Sequence, residues 1–192
     1  MVLQIIEYNK VIKDSTQTWD VILSATNKLT DFVTPTYGPA GNNVIIKRFG
    51  RIQAVDDGAL ISEEFSLEDP FENDIIDFIR ESARNTNKRV EDGNVTTLLL
   101  VKALLNGYTS EQTTKDFVSD LKYAAINATS KLIESAVKIT TKEQIASVAR
   151  IAFNHKELAD LIADVIMDVG EDGVIIAEYS NGKNIVAEKV PG

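Results

Sequence analysis

Between positions 114 and 136 the residues Phe117, Leu121, Ala124, Ala125, Ala128, Leu132 and Ala136 recur every three or four places. That spacing puts them on one face of an α-helix, whereas the two-residue period of a strand would scatter them over both faces. A helix of this length runs for about 34 Å. Positions 16–33 repeat the pattern with Trp19, Ile22, Thr26, Leu29 and Val33, and positions 71–89 with Ile75, Ile79, Ala83 and Thr86. A fourth helix is expected from about Val95 to Asn106. Its near-continuous apolar character predicts that it is enclosed on most sides.

Strands enter as small additions. The stretch "NVIIKRFGRIQAVDDGALI" reads as two short strands joined by a turn and ending at Asp56-Asp57-Gly58. Helices near 142–152 and 157–168 lead to the turn "GEDG", and "VIIAEYSNGKNIVAEKV" reads as two further strands around Ser180-Asn181-Gly182. The predicted class is mainly α with small β elements. The change of scale after the polar joint "VKITTKEQ" places a boundary near residue 138, giving a helical unit at 1–138 and a smaller helix-plus-strand unit at 139–192.

Composition narrows the chemistry. The chain has 192 residues and no cysteine, so disulfides, thiol catalysis and sulfur-ligated zinc are excluded. Its one histidine, His155, cannot build a multi-histidine metal site and leaves a Ser/His triad without support. A net charge of −9 speaks against a nucleic-acid surface, which needs clustered Lys and Arg. The longest apolar run, 98–105, is interrupted by Lys102 and is far shorter than the ~20 residues of a membrane helix. The opening residues show neither a basic secretory n-region nor an Arg-rich transit pattern, so the cytoplasm is expected.

Three polar corners could form a site. "TYGPAG", 36–41, is a glycine-proline loop between a helix and a strand, able to present backbone donors to a ligand. "DDG", 56–58, and "EDG", 91–93, are Asp-Gly corners, which are usually turns. The pair at Asp172-Gly173 is read as a turn only. Asp92 stands just before a helix whose first N–H groups are free to take phosphate oxygens. A carboxylate there would repel a phosphate unless a cation lay between them, as Mg²⁺ does. Asp92 as a helix N-cap explains the placement equally well. A nucleotide held by backbone N–H groups and a metal is compatible with the acidic balance.

In order and spacing, these pieces together resemble the group I chaperonins. "TYGPAGNNVII" is similar to that family's Thr-x-Gly-Pro-x-Gly-x-Asn-Val loop, and "VDDGALISEEFSLEDPFEN" to its Asp-Gly and Leu-Glu-Asp-x-Phe-Glu-Asn segments. "EDGNVTTLLLVKAL" is similar to its phosphate loop, and "QIASVARIAFN" and "LIADVIMDVGEDGVIIAE" to its intermediate-domain segments. The resemblance implies a helical equatorial-domain bundle at 1–138 and the first segment of a small α/β intermediate domain at 139–192. It implies an Mg-dependent ATPase that assembles as a seven-fold homo-oligomeric ring and assists protein folding. Unfolded polypeptides would bind through an apical domain, and a co-chaperonin is a further implied partner. If the source is viral, the host cytoplasm is the implied location.

The resemblance also implies roles for individual residues. Asp57 would help position the attacking water. Asp92 would bind Mg²⁺ between the phosphates, with K⁺ nearby. Thr36, Tyr37, Gly38, Pro39, Asp56, Gly58, Gly93, Asn94, Val95 and Thr96 would line the nucleotide. The family's Thr-Thr-Thr is Asn94-Val95-Thr96 here, its loop lysine is Ala40, and the lysine before its Asp-Gly pair is Asp56. Lys138 stands where a lower-hinge proline is common, and Gly192 matches the upper hinge. The apical domain and the returning halves of the other two domains lie outside these residues, which implies a longer natural chain, with a truncated relic as the alternative. Loss of phosphate contacts implies an alternative function as a chaperonin-like assembly protein with weak or absent hydrolysis.

Overall fold

A computed structural model describes residues 15–38, 40–108, 113–152, 155–170, 172–179, 182 and 185–189, with side chains from Gln17 onward. Seven α-helices and one two-stranded sheet make up the described residues. They are α1 (Ser15–Val33), β1 (Val44–Arg48), β2 (Arg51–Val55), α2 (Gly58–Glu64), α3 (Pro70–Val90), α4 (Asn94–Gly107), α5 (Thr114–Ser135), α6 (Lys142–Ala152) and α7 (Lys156–Val169). A single 3-10 turn, Thr34–Thr36, extends α1. Packing divides the chain into two compact units, Met1–Ser119 and Asp120–Gly192, with the division inside α5.

The first unit is built on the α1 face read from the sequence. Ala25, Leu29 and Val33 are buried together with Ile61 of α2, Ile76, Ile79 and Ala83 of α3, Leu98 of α4 and Ile46 of β1. Thr26 and Thr30, also buried, return their hydroxyls to the Ile22 and Thr26 carbonyls at 2.6 and 2.7 Å, so neither hydroxyl is stranded. α3 starts sharply because Asp69 accepts a hydrogen bond from Phe71 N at 2.8 Å and Pro70 presets the first turn. Buried Arg80 of α3 donates to the Ser62 and Phe65 carbonyls, fastening the end of α2 to α3. Glu72 does the same for α1, accepting from Ser24 Oγ at 2.6 Å and from Lys28 Nζ at 2.6 and 2.8 Å. The lysine and then the serine hydroxyl hold its carboxyl below the usual carboxylate range.

β1 and β2 pair antiparallel from Val44↔Val55 to Arg48↔Arg51, and Phe49 and Gly50 form the turn with φ of 50° and 75°. α2 adds to the sequence reading: it occupies residues that had no assignment beyond Gly58, because Asp57 caps a new helix directly after β2. α4 is not enclosed: only Leu98 is fully buried, while Leu100 and Leu104 are 58% and 45% exposed, since α1, α2 and α3 leave its other side uncovered. α5 has no fully buried residue: Phe117 is half-buried against the Tyr108 ring at 5.0 Å, Leu121 is half-buried, and the rest of its apolar stripe is exposed.

The second unit pairs α6 with α7 through Ala146, Ala159 and Ala163, whose small side chains allow close approach. Lys142 pairs with Asp164, and Arg150 and Lys156 both reach Asp160. His155 caps α7, its Nδ1 accepting from Leu158 N at 3.3 Å, which is a structural task. Gly173 N–H meets the Gly170 carbonyl at 3.2 Å, closing the turn expected there. The strand pair expected beyond it is absent among the described residues 174–179 and 185–189. Val174, Ile176 and Tyr179 are all exposed, and a lone hairpin without a third strand or a covering helix has little to stabilise it. Ser180, Asn181 and Gly192 lie outside the described residues.

Candidate nucleotide site

All three polar corners belong to the first unit, and the fold brings them together. The glycine loop leaves the 3-10 turn at Thr36, whose hydroxyl donates to the Val33 carbonyl at 2.8 Å. Tyr37 follows in an extended conformation, with its N–H bonded to Thr34 O at 3.0 Å. Gly38 has a φ of 82°, and the Gly41 N–H closes the loop onto the Gly38 carbonyl at 2.9 Å. Pro39 lies outside the described residues.

Asp57 caps α2. Its Oδ1 accepts from Ala59 N at 2.8 Å and Leu60 N at 3.1 Å, which fixes the carboxylate while keeping the residue exposed. Asp56 is exposed beside it. Gly58 is buried, and any side chain there would overlap Cγ2 of Val95 and come within 3.0 Å of the Thr36 hydroxyl. Thr36 of the glycine loop, Gly58 of the second corner and Val95 of the first turn of α4, two residues beyond the third corner, therefore meet at a single point.

The third corner differs from the capping alternative. The N-cap of α4 is Gly93, at a φ of 82°, and it makes no side-chain cap. Asp92 stands one residue earlier, with Oδ1 accepting from Gly93 N at 2.6 Å. Asp92 as the helix cap is thus overturned, because the left-handed Gly93 turns the chain before the carboxylate can reach the first-turn donors. Those N–H groups keep their capacity for an anion. Asn94 donates its side-chain amide to Asn87 Oδ1 at 3.1 Å, so part of its donor capacity serves α3. Val95 packs against the core, and exposed Thr96 lies 3.5 Å from the Tyr37 hydroxyl. Thr97, which the sequence did not single out, donates to the Gly93 carbonyl at 2.9 Å and touches the Thr86 hydroxyl at 3.1 Å. Its position one helical turn after Gly93 was the available signal.

Among the described residues no group of three or more acidic, histidine or cysteine side chains converges as a ready metal cage. A Mg²⁺ that arrives with a nucleotide takes one or two carboxylates and fills its shell with phosphate oxygens and water. Asp92 beside an uncapped helix N-terminus fits that donor set.

Among the solved structures that share this fold are two of one protein. Both are the chaperonin gp146 from the bacteriophage EL 2 (Pseudomonas aeruginosa), crystallised in the presence of ATP-BeFx in two crystal forms. The first aligns with a TM-score of 0.70 at 20% identity over 80% of this chain, the second with 0.67 at 23% over 79%. In each case the chain spans 28% of the phage protein's length. No helix among the described residues is long and apolar enough to cross a membrane. Residues 29–192, well over half of the chain, match the TCP-1/cpn60 family. The chain belongs to the TCP-1/cpn60 chaperonin family.

Proposed function

We propose that the full-length protein is an Mg-dependent ATPase of group I type, working in the cytoplasm as a seven-fold homo-oligomeric ring that assists protein folding. The observation that carries this reading is the meeting of Thr36, Gly58 and Val95, which sets the glycine loop, the Asp57 cap and the α4 N-terminus around one space. In the proposed pose the phosphates lie against the first-turn N–H groups of α4, with Tyr37 and Thr96 at the rim. Asp92 would hold Mg²⁺, which would supply neutralisation of the phosphate charge, with K⁺ as a supplement. Asp57 has one oxygen committed to its cap, and the carboxylate accepts a hydrogen bond from the attacking water and orients it. Gly93 and Gly38 permit close backbone approach, and Asp56 adds negative charge at the edge. The 139–192 segment would carry nucleotide state toward an apical domain that binds unfolded polypeptide, by shifting the population between ring conformations.

The test is turnover of Mg-ATP by the full-length protein, in K⁺ and in Na⁺, with Asp57→Ala and Asp92→Asn as variants. Turnover is expected to fall by about 10²-fold or more in each, on the scale of losing an electrostatic or water-positioning group. A second reading, a chaperonin-like assembly protein with weak or lost hydrolysis, is favoured by Val95 and by the commitment of the Asn94 amide to Asn87. Rings that assemble and bind nucleotide without turnover would decide for it.

A further inference from the structure

We infer that Val95 is a positioning residue: its γ-methyl, seated on the bare Cα of Gly58, holds the Asp92 corner in register with the Asp57 corner. The inference rests on the nucleotide site proposed above and states how this particular chain builds it. Gly58 is the first residue of α2, directly after its Asp57 cap, and Val95 lies in the first turn of α4, two residues after Gly93. A single added carbon at position 58 has no room, because it would overlap Val95 Cγ2.

Neither neighbour can easily give way. A valine in a helix is restricted to essentially one χ1 rotamer, so its methyl cannot swing aside. On the other flank, at 3.0 Å, stands the Thr36 hydroxyl, which is itself bonded to the Val33 carbonyl at 2.8 Å. The contact is therefore a stop that fixes how near the two helix N-termini approach. Threonine at position 95 would present the same methyl and a hydroxyl besides. Valine keeps the packing half of that side chain and gives up its donor.

The experiment measures kcat and KM for Mg-ATP, together with Tm, on the full-length protein and its Gly58→Ala, Val95→Ala, Gly58→Ala/Val95→Ala, Val95→Ser and Val95→Thr variants. Displacing Asp57 from the phosphates should lower kcat of Gly58→Ala by about 10²-fold, the scale of a misplacement near 1 Å, with a much smaller change in KM. Removing the opposing methyls in the double variant should return at least a tenfold share of the loss, a coupling that independent sites do not show. Val95→Ser, with a hydroxyl and no methyl, should fall below Val95→Thr, and this comparison carries the test if Gly58→Ala does not fold. An unchanged kcat in Gly58→Ala, a loss that Val95→Ala does not relieve, or Val95→Ser equal to Val95→Thr overturns the inference. So does rescue confined to Tm, which is what packing alone would give. If the unsubstituted protein shows no turnover, the functional reading itself fails and the positioning role falls with it.

Discussion

Glu72 shows how a single side chain can fix both geometry and acid sensitivity. It is buried on α3, yet it is charged because Ser24 and Lys28 of α1 complete its hydrogen bonds. Lys28 is half exposed, so the ion pair is partly screened, and Glu72→Gln is expected to cost about 1–2 kcal/mol at neutral pH. The carboxyl is held below its ordinary value of 4.5, so it binds protons more weakly in the folded state than in the unfolded one. Its stabilisation is present above 4.5 and is lost as pH falls through the depressed folded value. Thermal melts across this acid range should show a shallower acid decline for Glu72→Gln than for the parent. Equal slopes would contradict the assignment. The pairing of Glu72 with residues 44 and 48 positions away was not legible in the sequence, where it reads as an ordinary exposed charge.

Among the elements, α4 and the β1–β2 hairpin depend on a few positions. Leu98 is the one fully buried side chain of α4, and Leu98→Ala is expected to destabilise the first unit by about 2–5 kcal/mol in urea titrations. Leu104→Ala, on the exposed side of the same helix, should cost far less. The hairpin turn places Phe49 at a φ of 50°, where a side chain costs about 1–2 kcal/mol relative to glycine. The Arg48 guanidinium, 4.9 Å from the Phe49 ring, returns about 0.5–1 kcal/mol. Phe49→Asn should therefore stabilise the protein by under ~1 kcal/mol, read as a small rise in Tm. Periodicity located α1, α3, α5, α6 and α7 because helical spacing depends on nearby residues only. It missed α2 because seven residues give too little period to read, and a cap such as Asp57 is indistinguishable in sequence from a turn aspartate.

For the whole molecule, the exposed apolar residues of α5, among them Tyr123, Ile126, Leu132 and Ile133, contrast with a net charge of −9. Exposed apolar side chains grouped along one helix mark a surface that other protein normally covers. Prepared alone, the 192 residues should bind a hydrophobic dye strongly. If the proposed ring forms, the assembled protein should show less dye binding per chain and, on native mass measurement, a large symmetric particle. A protein that stays monomeric would contradict ring assembly.

Taken by itself, the sequence determined the helical class, the family resemblance and the three corners worth joining, since these reside in local spacing and in short motifs. It also excluded thiol chemistry and a multi-histidine metal site outright. Only the tertiary structure decided that Gly93 rather than Asp92 caps α4, that α4 and α5 leave apolar faces uncovered, and that Thr36, Gly58 and Val95 meet at one point. Those outcomes depend on backbone handedness and on contacts between residues dozens of positions apart. Local spacing carries no information about either.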